Sequence, residues 1–310
     1  MVDTPDARPV PAPLRPAATV MLVRDGEHPT APLEVLMVRR NLRSDFVGGA
    51  YVFPGGAVDP LDGGAEAEGC CVGRSDVEAS ALLGVPDGGL AYWVAVLREC
   101  FEEAGVLVAY GRSGDILSLA DPAAANRFGR LRAAVNAGER RFLDVCRDEG
   151  LRLATDRVHY FAHWITPEGA PRRYDTRFFV AAAPPDQIPA HDAGEVIAED
   201  WVQPAEALRR HRDGEIELIF PTIRNLQAIG RFDTSGELLA AAAAAGRIPV
   251  IEPRVLADGN GVRILLPGDP GYELAPEARA PGAASDFNDA VRAISRAANP
   301  DPGGTPAGDG

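Results

Sequence analysis

Apolar positions along this chain follow two periods. Leu90, Val94, Leu97, Phe101 and Ala104 recur at spacings of three and four, which draws one apolar stripe along a helix. Gly105 follows as a left-handed stop. Elsewhere the apolar residues come in short runs bounded by turn formers, as in strands. Such runs span residues 17–24, 33–39 and 160–167, with another entering at Pro171 and running through Ala181. The first two flank a turn with Gly26 and Pro29 and are expected to form a hairpin. A short strand is expected at 106–109, and one carrying Trp201 follows an acidic stretch at Glu195. Helices are expected at 76–83, 123–137, 139–148, after Pro204, from Phe220 and at 237–245. Segments 249–253 and 262–266 are expected to pair around a 258–261 turn rich in Gly and Asn. The ends, 1–15 and 277–310, lack a core pattern and read as disordered tails, the second with a short helix at 287–298. Residues 16–276 then form one domain.

The polar side of the 90–104 helix changes this picture. Glu99, Glu102 and Glu103 share one face, where each close like-charge pair costs about 0.2–0.5 kcal/mol. They also crowd the last turn, where the helix dipole disfavours each anion by about 0.3–1 kcal/mol. A bound cation reverses both penalties, and carboxylate oxygens suit hard ions such as magnesium or manganese. A solvated acidic face, with Arg98 as partial counter-ion, is the plainer reading of the same residues.

The surroundings favour the cation. Phe53-Pro54-Gly55-Gly56-Ala57-Val58-Asp59 ends in a Gly pair, and Arg98-Glu99-Cys100-Phe101-Glu102-Glu103-Ala104-Gly105-Val106 completes a pattern that resembles the Nudix box. Gly56 and Arg98 stand 42 positions apart, so an insertion of 28 residues splits the box, and its strict Glu position falls on Asp62. A long insertion at this place resembles the acyl-coenzyme A diphosphatase branch of the Nudix hydrolases. The resemblance implies an α/β (α+β) fold, a mixed β-sheet sandwiched between helices with inserted helical segments, the insertion spanning 61–89. It also implies Glu99, Glu102 and Glu103 as metal ligands, joined by a carbonyl of Gly55 or Gly56. Glu99 and Glu103 are the candidates to assist deprotonation of water, with Arg98 orienting a catalytic Glu. Glu195 or Glu199 is a further candidate carboxylate.

Arginine clusters mark candidate substrate contacts. Arg40 and Arg43 precede the Gly48-Gly49 pair in a segment that loosely resembles the coenzyme A-specific stretch of these enzymes, and Arg172, Arg173 and Arg177 open a buried strand. Arginine forks suit phosphates. The alternative for the second group is salt bridging to Asp175 and nearby acids. Arg127, Arg130, Arg132, Arg140 and Arg141 read as a solvated face, and His159 and His163 as packing or hydrogen-bonding residues.

Composition narrows the class. A formal net charge of −14 argues against nucleic acid or anionic membrane as partner. The four cysteines, vicinal Cys70 and Cys71 among them, lack metal or disulfide spacing and suit a reducing cytoplasm. No apolar run reaches membrane-spanning length, and neither end carries a targeting signal. The expected partner is a small nucleoside diphosphate-type molecule; a homodimer is compatible with the sequence. The reading reached is a magnesium- or manganese-dependent diphosphatase acting on coenzyme A or acyl-coenzyme A. Its alternatives are a Nudix hydrolase of ADP-ribose, NADH or a sugar nucleotide, or a non-catalytic ligand-binding module.

Overall fold

A computed structural model describes residues 12–26, 32–43, 47–168, 170–192, 194–258, 261–273, 291, 292, 295 and 298. The strands are β1 (Leu14–Asp25), β2 (Leu33–Arg40), β3 (Tyr51–Val52), β4 (Gly55–Ala57), β5 (Ala109–Tyr110), β6 (Arg152–Leu153), β7 (Val158–Ile165), β8 (Arg173–Ala182), β9 (Val196–Val202), β10 (Val250–Ile251), β11 (Arg254–Asp258) and β12 (Gly261–Leu265). The helices are α1 (Gly64–Cys70), α2 (Asp76–Leu83), α3 (Leu90–Ala104), α4 (Pro122–Asn136), α5 (Phe142–Glu149), α6 (Pro204–Arg212), α7 (Phe220–Ile229) and α8 (Ser235–Ala243).

One mixed sheet runs β10-β7-β8-β1-β2-β3, with β4 added to β1 and β9 to β2. The expected hairpin is present: β1 and β2 pair antiparallel, while β1 and β8 run parallel over ten residue pairs. Alternation along the strands divides the core. Ala18, Val20, Leu22, Leu36, Val38, Phe179 and Ala181 face α3. Met21, Val23, Val35, Met37, Phe178 and Val180 face Ala207, Ile223, Leu226 and Leu238 of α6, α7 and α8. The sheet therefore lies between helical layers.

Helix α3 is buried more completely than one stripe implies. Every residue from Leu90 to Leu97 is buried, because α1 and α2 pack on it from outside. The insertion supplies those two helices. α2 has the expected bounds; α1 was not legible, since its Gly-Ala-Glu-rich sequence buries only Ala67. The insertion also closes the start of α3, which has no side-chain cap of its own. Asp76 accepts from the backbone amides of Gly88 (3.0 Å) and Leu90 (2.9 Å), and Ser80 Oγ accepts from that of Gly89 (2.9 Å). These are amides a helix start leaves orphaned.

Three expectations need correction. β10 leaves its anticipated partner and joins β7 in parallel, so the hairpin is β11 with β12. Of the 106–109 strand only Ala109 pairs, with Leu153 across β6. β1 starts at Leu14, paired with Arg173, inside the stretch read as tail. Residues 1–11 and most of 274–310 lie outside the described residues. In the second tail Val291, Arg292 and Ser295 are helical, and the buried Ser295 places its carbonyl 3.2 Å from His211 Nε2.

Candidate active site

The end of α3 meets the Gly55-Gly56 turn because β4 pairs with β1, and α3 packs against both strands. Gly105 ends the helix with φ 69°, the left-handed conformation expected there. Its last carbonyls are held from α4: Arg132 Nε and Asn136 Nδ2 donate to the Glu102 carbonyl at 2.9 and 3.1 Å. Arg132 is buried. It therefore departs from the solvated face assigned to it, because the orphan carbonyls of a helix end need donors. Its neighbours Arg127, Arg140 and Arg141 do form surface ion pairs with Glu149, Asp148 and Glu66.

The carboxylates converge on the two glycines. Glu103 accepts from the Gly55 amide at 2.9 Å. Glu99 lies against Gly56 so closely that a Cβ there would stand 2.4 Å from its Oε1. A Cβ at Gly55 would meet the Ala18 carbonyl at 2.5 Å. Gly55 thus needs glycine because backbone fills the space, whereas a side chain at Gly56 would displace the Glu99 carboxylate.

Arg98 is the hub. Nη1 donates to Glu99 Oε1 (2.8 Å) and Glu102 Oε2 (3.0 Å), while Nε and Nη2 grip both oxygens of Asp62, each at 2.9 Å. The fifth contact is Nη2 to the Ala57 carbonyl at 3.0 Å. Asp62, at the position where the sequence pattern looked degraded, is buried and anchors Arg98.

Burial governs the protonation of this cluster. It pushes Glu99 up to about 7, against the pull of Arg98 and with the push of Glu102. It holds Glu103 well above the usual carboxylate range, reinforced by Glu99 and opposed by the Gly55 amide. Glu102 is raised by the same burial. Buried carboxylates that repel each other form the kind of site a dication relieves. As they stand, no three His, Cys, Asp or Glu side chains among the described residues are arranged to hold a metal ion. Yet Glu99 and Glu102 each give only one oxygen to Arg98, and Glu103 one to Gly55. The remaining oxygens are hard donors, and the set fits a hard dication by its chemistry.

A cavity of about 590 Å³ opens beside this turn, lined by Gly55, Gly56, Glu103, Glu195, Arg40, Arg43 and Arg172 and by an apolar wall that includes Phe53, Trp164, Phe178 and Phe220. Of the two further acidic candidates, Glu195 lines it, whereas Glu199 is engaged by the His191 backbone amide and ring. Arg173 and Arg177 do not line it. Strand alternation sends Tyr174, Thr176 and Phe178 into the cavity and these two arginines to the opposite face. There Arg173 pairs with Glu252 at 2.7 Å; Arg177 pairs with Asp175 and lies over the Tyr92 ring. The salt-bridge alternative holds for both. His163, buried, also bonds Asp175. No helix among the described residues is long and apolar enough to cross a membrane.

The chain is similar to known proteins. The family model described as "NUDT19 Nudix domain" matches residues 71–229. Acyl-coenzyme A diphosphatase NUDT19 of Gallus gallus is 32% identical over 85% of this chain and 80% of its own length. The Homo sapiens protein of the same name is 27% identical over 86% and 82%. The crystal structure of a NUDIX hydrolase from Alicyclobacillus acidocaldarius superposes with a TM-score of 0.58 at 26% identity, covering 77% of this chain and 99% of that one.

Proposed function

This chain belongs to the Nudix hydrolase family, and from that premise we propose that it is a magnesium- or manganese-dependent diphosphatase of coenzyme A and its acyl thioesters. The products are 3′,5′-ADP and a phosphopantetheine fragment. The observation that carries the reading is the meeting of Glu99 and Glu103 with the Gly55-Gly56 turn, with Glu102 tied to Glu99 through Arg98, at a cavity bearing Arg40, Arg43 and Arg172. The names of the NUDT19 relatives supply the substrate class.

Nudix hydrolases use a divalent metal ion. Here Glu99, Glu102 and Glu103, with a carbonyl of Gly55 or Gly56, are the groups to hold it; once bound, it neutralises diphosphate charge and acidifies water. The chain's own residues do the rest. Arg98, fixed by Asp62, keeps Glu99 and Glu102 in place. Glu99, which lies against the Gly56 backbone beside Glu103, is the group suited to take a proton from the attacking water. Glu103 is locked by the Gly55 amide at the cavity edge. Arg40, Arg43 and Arg172 supply forked donors to the diphosphate and the 3′-phosphate. Water then adds to one phosphorus, and the bridging oxygen leaves with the other.

Hydrolysis of a panel with magnesium tests this reading: coenzyme A, acyl-coenzyme A, ADP-ribose, NADH and a nucleoside triphosphate. The expected result is the highest kcat/KM on the coenzyme A compounds. Preference for ADP-ribose or a triphosphate overturns the substrate and leaves the enzyme class standing.

A further inference from the structure

Two kinds of wall enclose the cavity. Its charged lining residues are Arg40, Arg43, Glu103, Arg172 and Glu195; among the described residues, none from Ile219 onward carries a charge. The sheet sets the distance between the acidic turn and the far part of the apolar wall. Strand registers place Ala57, Ala17, Thr176, Trp164 and Ile251 in one row across β4, β1, β8, β7 and β10. The row begins beside the turn that holds Glu103 and spans four strand spacings, about 19 Å at about 4.8 Å each. At its far end the chain passes from β10 through the buried Pro253 into the β11–β12 hairpin. The Arg173–Glu252 ion pair and the Tyr272 hydroxyl, which donates to the Glu252 carbonyl at 2.8 Å, fix this root.

Alternation then divides the hairpin. Arg254 turns to Tyr272, lies over its ring and donates to its carbonyl. Val255 lines the cavity, and so does Ile264, its cross-strand partner. Both are half-buried, and neither packs in the two cores that flank the sheet. Apolar side chains left at a cavity in this way gain most when an apolar ligand covers them.

We propose that Val255 and Ile264 are specificity-determining residues, and that their cross-strand pair, with Phe220 and Val291, holds the acyl chain of an acyl-coenzyme A. The inference rests on the coenzyme A reading above. Between diphosphate and sulfur the pantetheine arm is a chain of roughly a dozen bonds of about 1.3–1.5 Å, which reaches about 15 Å when extended. With the diphosphate at Glu103, the sulfur comes to lie near Trp164, and the acyl carbons continue to the hairpin.

Two measurements test it. Val255→Thr combined with Ile264→Thr keeps the branched shape that strands favour and sets two hydroxyls on the wall. The ratio of kcat/KM for decanoyl-coenzyme A to that for coenzyme A is expected to fall about five- to tenfold, the cost of a hydroxyl against an apolar chain. The two compounds share nucleotide, diphosphate and pantetheine, so the ratio reads the acyl chain alone. An unchanged ratio overturns the proposal, and a common fall in both values gives the wall to the shared adenine instead. Acetyl-, hexanoyl- and decanoyl-coenzyme A, below their micellar concentrations, form the second test. In the wild type kcat/KM rises at least about tenfold along the series, since each fully buried methylene supplies about fourfold. In Ile264→Phe, which fills the wall, the rise stops at a shorter chain. A flat wild-type series, or the same rise in Ile264→Phe, refutes the assignment even if the threonine variant fails to fold. Wild-type turnover of ADP-ribose in place of every coenzyme A compound refutes the substrate reading and this inference together. Turnover of coenzyme A with no response to chain length refutes this inference alone.

Discussion

Arg98 and Asp62 form a two-pronged ion pair, Nε to Oδ1 and Nη2 to Oδ2, both at 2.9 Å, between residues 36 positions apart. The pair joins the start of the insertion to the helix that carries the acidic set. Asp62→Ala leaves a buried guanidinium with its partner gone and frees it to pull on Glu99 and Glu102. The expected outcome is a kcat lower by about ten- to a hundredfold, the range for groups that orient metal ligands. Steady-state kinetics at saturating magnesium check it, and an unchanged kcat removes Asp62 from the machinery.

Gly56→Ala places a methyl 2.4 Å from the present position of Glu99 Oε1. The carboxylate must move by about an ångström, and such a displacement costs about a hundredfold in rate. Gly69, within α1, has open space around its would-be Cβ and serves as the control. There alanine stabilises by about 0.5–1 kcal/mol through helix propensity. Turnover and urea midpoints for the two variants separate a site effect from a folding effect.

Asp76→Ala removes the acceptor for two amides at the start of α3. A loss of about 1–2 kcal/mol is expected, as for a deleted N-cap. Urea unfolding monitored by tryptophan fluorescence measures it. An unaltered midpoint means that the insertion does not support α3.

Asp175 supplies the pH dependence. Burial pushes its carboxyl up, but hydrogen bonds from His163 and Arg177 outweigh that and hold it below the usual carboxylate range. A folded value below the unfolded one adds stability that is present above the unfolded carboxylate range and lost as pH falls through the folded value. Asp175→Ala therefore costs about 1–3 kcal/mol at pH 7, since it leaves the buried Arg177 and His163 without this half-buried partner. The gap from wild type narrows as pH drops below about 4. Melting curves at pH 7, 5 and 3 check this; a constant gap contradicts it.

The sequence made the acidic helix legible because its requirements are local: an apolar repeat, three glutamates and a terminal glycine. The same locality made α2 and the β1–β2 hairpin readable. What stayed hidden depends on partners far along the chain. Asp62 looked like a weakened motif position until Arg98 was found on it. Arg132 looked solvated until the end of α3 called for a donor. Arg173 and Arg177 stand beside Arg172 in the sequence as candidate substrate contacts, yet strand alternation, readable once the 173–182 register is known, turns them to the other face. β10 is only two residues long, too short for any periodicity to announce its partner.

The central claim is that hydrolysis runs through the carboxylates gathered at the Gly55-Gly56 turn. Its most direct test is magnesium-dependent turnover of coenzyme A by Glu103→Gln, whose amide keeps the shape and discards the charge. With melting behaviour close to wild type, kcat is expected to fall roughly a thousandfold, several kcal/mol of lost transition-state stabilisation. A purified Glu103→Gln protein that turns over at the wild-type rate contradicts the account.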